Sequence, residues 1–186
     1  LIGLPGQTSA GMKRTIDEVV ALQPTEIQTM YVHYKPQTRK YMTRMVRNGP
    51  MPDFYDRKVL FKVATEGLSS QGYDRAGYES FALAGDPLLK AMDDNKALYN
   101  SLGTTTGLAS NFIAVGSSAH GIFGPYYFQN FYEQNLYRSA LEAGEYPIYR
   151  GMKLTDEDCA RRDIIKNLRT YFRVDHATFE TRYGLS

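Results

Sequence analysis

The chain has 186 residues, 42% of them hydrophobic and 23% charged, which suffices for a globular core and permits one domain or a domain with an appendage. Its 22 Lys and Arg oppose 20 Asp and Glu for a formal charge of +2, a balance that argues against nucleic-acid or membrane binding as a property of the whole molecule. No apolar run is long enough to cross a bilayer, no leader-like segment opens the chain, and a lone Cys159 excludes an internal disulfide or a CxxC metal site, so a cytoplasmic protein is expected.

The chain opens on Leu1-Ile2-Gly3-Leu4-Pro5-Gly6-Gln7-Thr8, an apolar stub that reads as a strand end running into a turn. Thr8 or Ser9 caps a helix with Met12, Ile16, Val19 and Val20 at helical spacing, and this helix must stop before Pro24. Residues 27–34, rich in aromatic and β-branched side chains, read as a strand, and the proline-containing, basic stretch 35–52 as a connection. A helix over 56–71 buries either Val59, Val63 and Gly67 or Leu60, Ala64 and Leu68, with Gly72 as its stop. A strand over 78–83, a short helix over 87–92 and a strand over 111–116 follow, the last ending in Gly116-Ser117-Ser118-Ala119-His120-Gly121.

Phe128, Tyr132, Leu136 and Ala140 then share one face of a helix over 128–143 that Gly144 closes. The final helix has the plainest signal: Thr155 caps it with Asp158 in a Thr-x-x-Asp box, and Asp156, Glu157 and Asp158 place negative charge where the helix dipole favours it. Ala160, Ile164, Leu168 and Phe172 recur every four residues, and Glu157–Arg161 and Asp158–Arg162 are acid-before-base pairs. Strands alternating with helices argue for an α/β fold with parallel strands and crossover helices, followed by a helical layer.

The string from Arg150-Gly151 through Leu154-Thr155-x-Glu157-Asp158-Cys159-x-Arg161-Arg162-Asp163-x-Ile165-Lys166 closely resembles the C-terminal domain of oxygen-independent coproporphyrinogen III oxidases, which are radical S-adenosylmethionine (SAM) enzymes. Three further segments resemble the same family in the same order. They are Gly3-Leu4-Pro5-Gly6-Gln7-Thr8; Gly72-Tyr73 with Glu79-Ser80-Phe81-Ala82; and Asn100-x-x-Gly103 with Gly116-x-Ser118-Ala119.

The resemblance implies the C-terminal part of a parallel βα, TIM-like radical SAM barrel over 1–125 and a mainly helical C-terminal domain over 126–186. It also implies a SAM cofactor and a 4Fe–4S cluster held by a Cys-x3-Cys-x2-Cys loop, for which this chain lacks the cysteines. The expectation is therefore a portion of a longer radical SAM oxidoreductase, starting partway through the barrel and inert alone, with an unpaired barrel edge through which copies self-associate. The implied substrate is a tetrapyrrole, coproporphyrinogen III by default. A haem-binding or haem-delivering relative and a haem-degrading methyltransferase stay open, because Ala114 and Leu102 replace a glycine and a polar residue of the oxidases.

The implied SAM contacts are Gly3, Leu4 and Pro5 and the loop Gly116, Ser117, Ser118 and Ala119. Small residues at a strand end also allow close backbone approach to an anionic ligand, or serve simply as a packing turn. His120, just past that strand end, is a candidate tetrapyrrole contact or an ordinary hydrogen-bonded imidazole, as is His33. Tyr34 and Arg39, with Lys35, Lys40, Arg44 and Arg47, could clamp propionates, or form a solvated basic connection. Cys159 reads as structural.

Overall fold

The computed structural model describes residues 1–100, 103–107 and 111–184, except the side chain of Asn48. The chain divides into two compact units contiguous in sequence, Leu1–Asn95 and Lys96–Ser186. No helix among the described residues is long and apolar enough to cross a membrane.

In the first unit, α1 (Ser9–Ala21) starts where Thr8 accepts a hydrogen bond from the Gly11 N–H, and buries Met12 and Ile16. Helix α2 (Phe54–Ser70) is opened by a reciprocal Asp53–Asp56 capping box and buries Leu60, Ala64 and Leu68, the second of the two faces the sequence offers. The helices pack closely because Gly67 leaves room: a Cβ there would stand 3.3 Å from the Ile16 Cγ2. Helix α3 (Pro87–Asp93) has Asp86 as its cap and Pro87 in its first turn.

Strands β1 (Glu26–Gln28), β2 (Tyr73–Arg75) and β3 (Ser80–Leu83) form a sheet of order β1-β3-β2. Both ladders are antiparallel, Ile27 facing Phe81 and Arg75 facing Phe81 from the other side. β1 and β2 therefore run in the same direction but do not pair, because β3 lies between them; in place of the parallel sheet expected from the alternation these strands form antiparallel ladders, and the parallel pairing described in this unit is an isolated bridge. The expected strand over 27–34 is split because it changes partner. After Gln28 the Thr29 N–H donates to the Glu79 carbonyl, and Tyr31 then makes a parallel bridge with Ile2, whose N–H donates to the Met30 carbonyl at 2.8 Å. Part of the basic connection is a 3₁₀ helix over Lys40–Asn48. Ile2, Met12, Ile16, Leu60, Ala64, Leu68, Tyr73 and Phe81 make the core, and the Tyr73 hydroxyl donates to the Pro24 carbonyl at 2.7 Å.

The second unit holds a hairpin of β4 (Leu98–Asn100) and β5 (Gly103–Thr105) and an antiparallel sheet of order β6-β7-β8, with β6 His120–Phe123, β7 Tyr126–Asn130 and β8 Ile148–Lys153. Three helices complete it: α4 (Gln134–Glu142), α5 (Asp156–Tyr171) and α6 (His176–Tyr183).

Two expectations fail here. The helix expected over 128–143 starts only at Gln134, because Tyr126 to Asn130 pair with strands on both sides and the Phe128 ring lies across Gly121. Tertiary partners override the four-residue spacing, and aromatic residues suit a strand equally well. The strand expected over 111–116 is reduced to a Phe112–Ile122 bridge, since the Asn130 side chain rather than a ladder satisfies the carbonyls of Ala114 and Gly116. In α5 the Thr155–Asp158 box forms as the sequence implies, and Ala160 is buried, but Leu168 and Phe172 are 47% and 52% exposed.

Candidate functional site

The Gly3-Leu4-Pro5 turn is held from within. The Gln7 amide oxygen accepts from the Gly3 N–H at 2.8 Å and the Leu4 N–H at 3.3 Å, while its Nε2 donates to the Leu1 carbonyl. Gly3 has φ of 91° and a Cβ there would meet the Arg57 Cδ at 2.9 Å, so the position requires glycine. Tyr34 is half-buried in the same unit, and Arg39 is exposed at the start of the 3₁₀ helix. Lys35, Lys40, Arg44 and Arg47 are exposed too, and no carboxylate occurs from 35 to 52, which fits the solvated-connection reading of this stretch.

The second unit brings together the Gly116–Ala119 loop and His120. Three of the loop's N–H groups, expected to be open to a ligand, have internal partners: that of Gly116 donates to the Tyr137 hydroxyl at 2.9 Å, that of Ser118 to the Phe131 carbonyl at 2.7 Å and that of Ala119 to the Gly116 carbonyl at 3.5 Å. Ser118 takes φ of 61°, an uncommon conformation for a side-chain-bearing residue. Asn130 and Gln129 hold the loop from below. Asn130 Nδ2 donates to the Gly116 carbonyl at 2.9 Å, Gln129 Nε2 to the Ser118 carbonyl at 2.9 Å, and Gln129 Oε1 accepts from Arg150 Nη2 at 2.8 Å and from the Tyr132 hydroxyl.

Register fixes which side chains share a face. His120 faces Gln129, which faces Arg150; Ile122 faces Tyr127, which faces Met152. Alternation along each strand places all six on one side of the sheet. That side borders two cavities, of about 480 and 300 Å³, which share His120 and Tyr127. The larger one is completed by residues of α5, including Arg161, Arg162, Ile165 and Lys166. A third cavity, about 790 Å³, lies on the other flank of α5 beside Cys159, Asp163 and Tyr183.

Charge on α5 is mostly paired. Burial alone would raise the Asp163 carboxyl, but hydrogen bonds from Tyr183 (2.6 Å) and Arg162 (2.8 Å) and the Arg182 guanidinium hold it below the usual carboxylate range. Burial, then the Asp163 hydrogen bond, pushes the Tyr183 hydroxyl up to about 12. Arg161 pairs with Glu157 and Asp158. Lys166, half-buried with no hydrogen bond or ion pair among the described residues, has its pKa lowered by burial and then by Arg162.

The whole chain aligns with curated coproporphyrinogen III oxidases. It is 31% identical over 185 residues to the oxygen-independent coproporphyrinogen III oxidase of Pseudomonas aeruginosa and 26% identical to that of Helicobacter pylori, each match covering 100% of this chain and 40% of the relative. The solved coproporphyrinogen III oxidase of Escherichia coli, a radical SAM enzyme, superimposes with a TM-score of 0.84 at 28% identity over 99% of this chain and 42% of that one. Over its full length the chain is similar to oxygen-independent coproporphyrinogen III oxidases. It spans about two fifths of the length of those relatives. No family model matches it.

Similarity to a radical SAM enzyme brings a 4Fe–4S cluster into question, and the residues present do not fit one. A cluster needs several thiolates around one centre, whereas the chain has one cysteine, half-buried on α5, and no group of three potential metal donors occurs among the described residues. Of the two departures from the oxidases, Ala114 sits where its carbonyl accepts from Asn130, and Leu102 lies outside the described residues. Sequence reasoning missed Gln129, Asn130, Tyr137 and Arg150, which shape the loop. The available signal was the polar pair Gln129-Asn130 inside the aromatic run Tyr126-Tyr127-Phe128 and Phe131-Tyr132.

Proposed function

We propose that the chain is the C-terminal part of a radical SAM enzyme acting on a tetrapyrrole, with oxidative decarboxylation of coproporphyrinogen III as its reaction. The observation that carries this reading is similarity over the full chain to enzymes so named, joined to the fold match at a TM-score of 0.84. In this reading residues 1–125 complete a βα barrel whose cluster-bearing half lies elsewhere, and 126–186 form the helical C-terminal domain. SAM would lie against the Gly3-Leu4-Pro5 turn and the Gly116-Ser117-Ser118-Ala119 loop, while His120, Tyr34 and Arg39 would contact the substrate. The chemistry would belong to the cofactors, and the residues here would bind, orient and exclude water.

The rigidity of both turns supports this role, because a turn already fixed by Gln7, or by Asn130 and Gln129, loses little freedom when a ligand docks. The test is to read the coding sequence upstream of Leu1 for a Cys-x3-Cys-x2-Cys loop and to assay the protein that includes it, anaerobically with reductant and SAM, for protoporphyrinogen formation. Product together with 5′-deoxyadenosine is expected. A complete, reconstituted protein that cleaves SAM but leaves coproporphyrinogen unchanged would refute the substrate assignment. A second reading, a haem-binding relative without oxidase activity, draws support from the exposed His120 imidazole between two cavities. Stoichiometric haem uptake without decarboxylation would select it.

A further inference from the structure

Helix α6 buries none of its residues. Only Phe179 and Tyr183 are even half-buried, one turn apart with ring centroids at 5.7 Å. Its start hangs on the connection 172–175, which leaves α5 at Phe172 in the left-handed region, with φ of 57°. At its end two side chains reach one oxygen of Asp163: the Tyr183 hydroxyl donates to Oδ2 at 2.6 Å, and Arg182 Nη1 stands 3.1 Å from the same atom. The other oxygen, Oδ1, accepts from Arg162 Nε at 2.8 Å within α5. Asp163 is thus fixed from its own helix and offers its second oxygen to α6.

The same end of α6 walls a cavity. Arg182 and Tyr183 line the space of about 790 Å³ on this flank of α5, together with Leu98, Pro125, Cys159 and Lys166. Cys159 lies four residues before Asp163, one helical turn away on the same face, and is half-buried. A bend at one end of a short helix and a polar catch at the other, with no fully buried side chain between them, make an element that opens at low cost while its surroundings stay folded.

We propose that α6 is a hinged flap on this cavity: it swings on residues 172–175 and is caught by Tyr183 and Arg182 on Asp163. Release of the catch opens the cavity and exposes Cys159, while α5 and the sheet keep their structure. Asp163 is the fixed half of the catch, because Arg162 holds it whether α6 is closed or open. The flap uses neither the substrate nor the cofactor assignment above, so it stands or falls apart from them.

Cys159 is the chain's one thiol, so the rate at which dithionitrobenzoate labels it reads the opening. The wild-type chain should react more slowly than the urea-unfolded chain by about tenfold or more. Tyr183→Phe leaves every charge in place and removes the shorter bond of the catch; it should speed labelling about five- to tenfold, and Arg182→Gln by a smaller factor because its guanidinium is more exposed. Loss of Arg182 also takes a cation from the cavity wall and so disfavours the reactive thiolate, which means that faster labelling in that variant reports access and not acidity. The rates should be nearly flat in urea below the unfolding transition, since opening the flap exposes little buried surface. Wild-type labelling as fast as in the unfolded chain, rates within about twofold of wild type in both variants, or acceleration that follows urea as steeply as global unfolding would each overturn the proposal.

Discussion

Gly121 is the position where a single methyl group should matter most. An alanine Cβ there would lie 2.2, 2.3 and 2.9 Å from three atoms of the Phe128 ring, its cross-strand partner, against a normal carbon–carbon separation of about 3.5–4.0 Å. The ring must therefore move by more than an ångström. The clash is with the far end of the ring, so relief requires the Phe128 side chain to rotate off its seat on Gly121. Overpacking of this kind costs about 1–3 kcal/mol, offset by up to about 1 kcal/mol from the lower entropy of the unfolded chain. A net loss of about 1–2 kcal/mol in the second unit corresponds to a fall of about 5–15 °C in its melting temperature. Thermal unfolding followed by circular dichroism reads the effect. Phe128→Leu placed on Gly121→Ala should recover part of it, giving a coupling of about 1 kcal/mol in a double-mutant cycle. A Gly121→Ala protein that melts with wild type, or strictly additive single and double variants, would refute the steric reasoning.

Thr155→Ala should cost about 1 kcal/mol in urea unfolding, since it removes the acceptor for the Asp158 N–H at 3.1 Å. Ile164→Asp should destabilise the second unit by about 2 kcal/mol because Ile164 is half-buried, whereas Leu168→Asp, one turn on and 47% exposed, should change the urea midpoint little; equal effects would mean that the face of α5 is misassigned. Asp163 supplies a pH dependence. Its folded pKa is depressed, so its contribution to stability is complete above the unfolded value of about 4 and is lost as pH falls through the lower folded value. Urea midpoints from pH 7 down to pH 3 should therefore fall more steeply for wild type than for Asp163→Asn, and parallel curves would contradict the assignment.

Local signals carried the helices and much less of the sheets. Thr8 and the Thr155–Asp158 box mark helix starts because a cap is a contact over three residues or fewer, visible in a short string. The strands depend on partners far along the chain: the same Phe128 spacing suits a helix until Gly121 supplies a flat seat for the ring. The apolar stripe of α5 was legible in period but not in extent, since burial falls on Ala160 and Thr170 while Leu168 and Phe172 remain open. At the loop, small residues announced a turn, and Gly116 with φ of 105° agrees. What fills its hydrogen bonds was not legible, because Asn130 and Gln129 act from a strand more than ten residues away and belong to no short motif.

The order β1-β3-β2 also bears on how the first unit is made. β3, the central strand, is the last of the three to leave the ribosome, and the two strands it joins do not pair with each other. Until Ser80 to Leu83 emerge, β1 and β2 lack the partner they share and this sheet cannot form. Assembly of the sheet is then a single closing event in which four residues engage both neighbours, Ala82 meeting Glu26 on one side and Asp74 on the other. Chains interrupted before Ser80 would lack the strand that both β1 and β2 require.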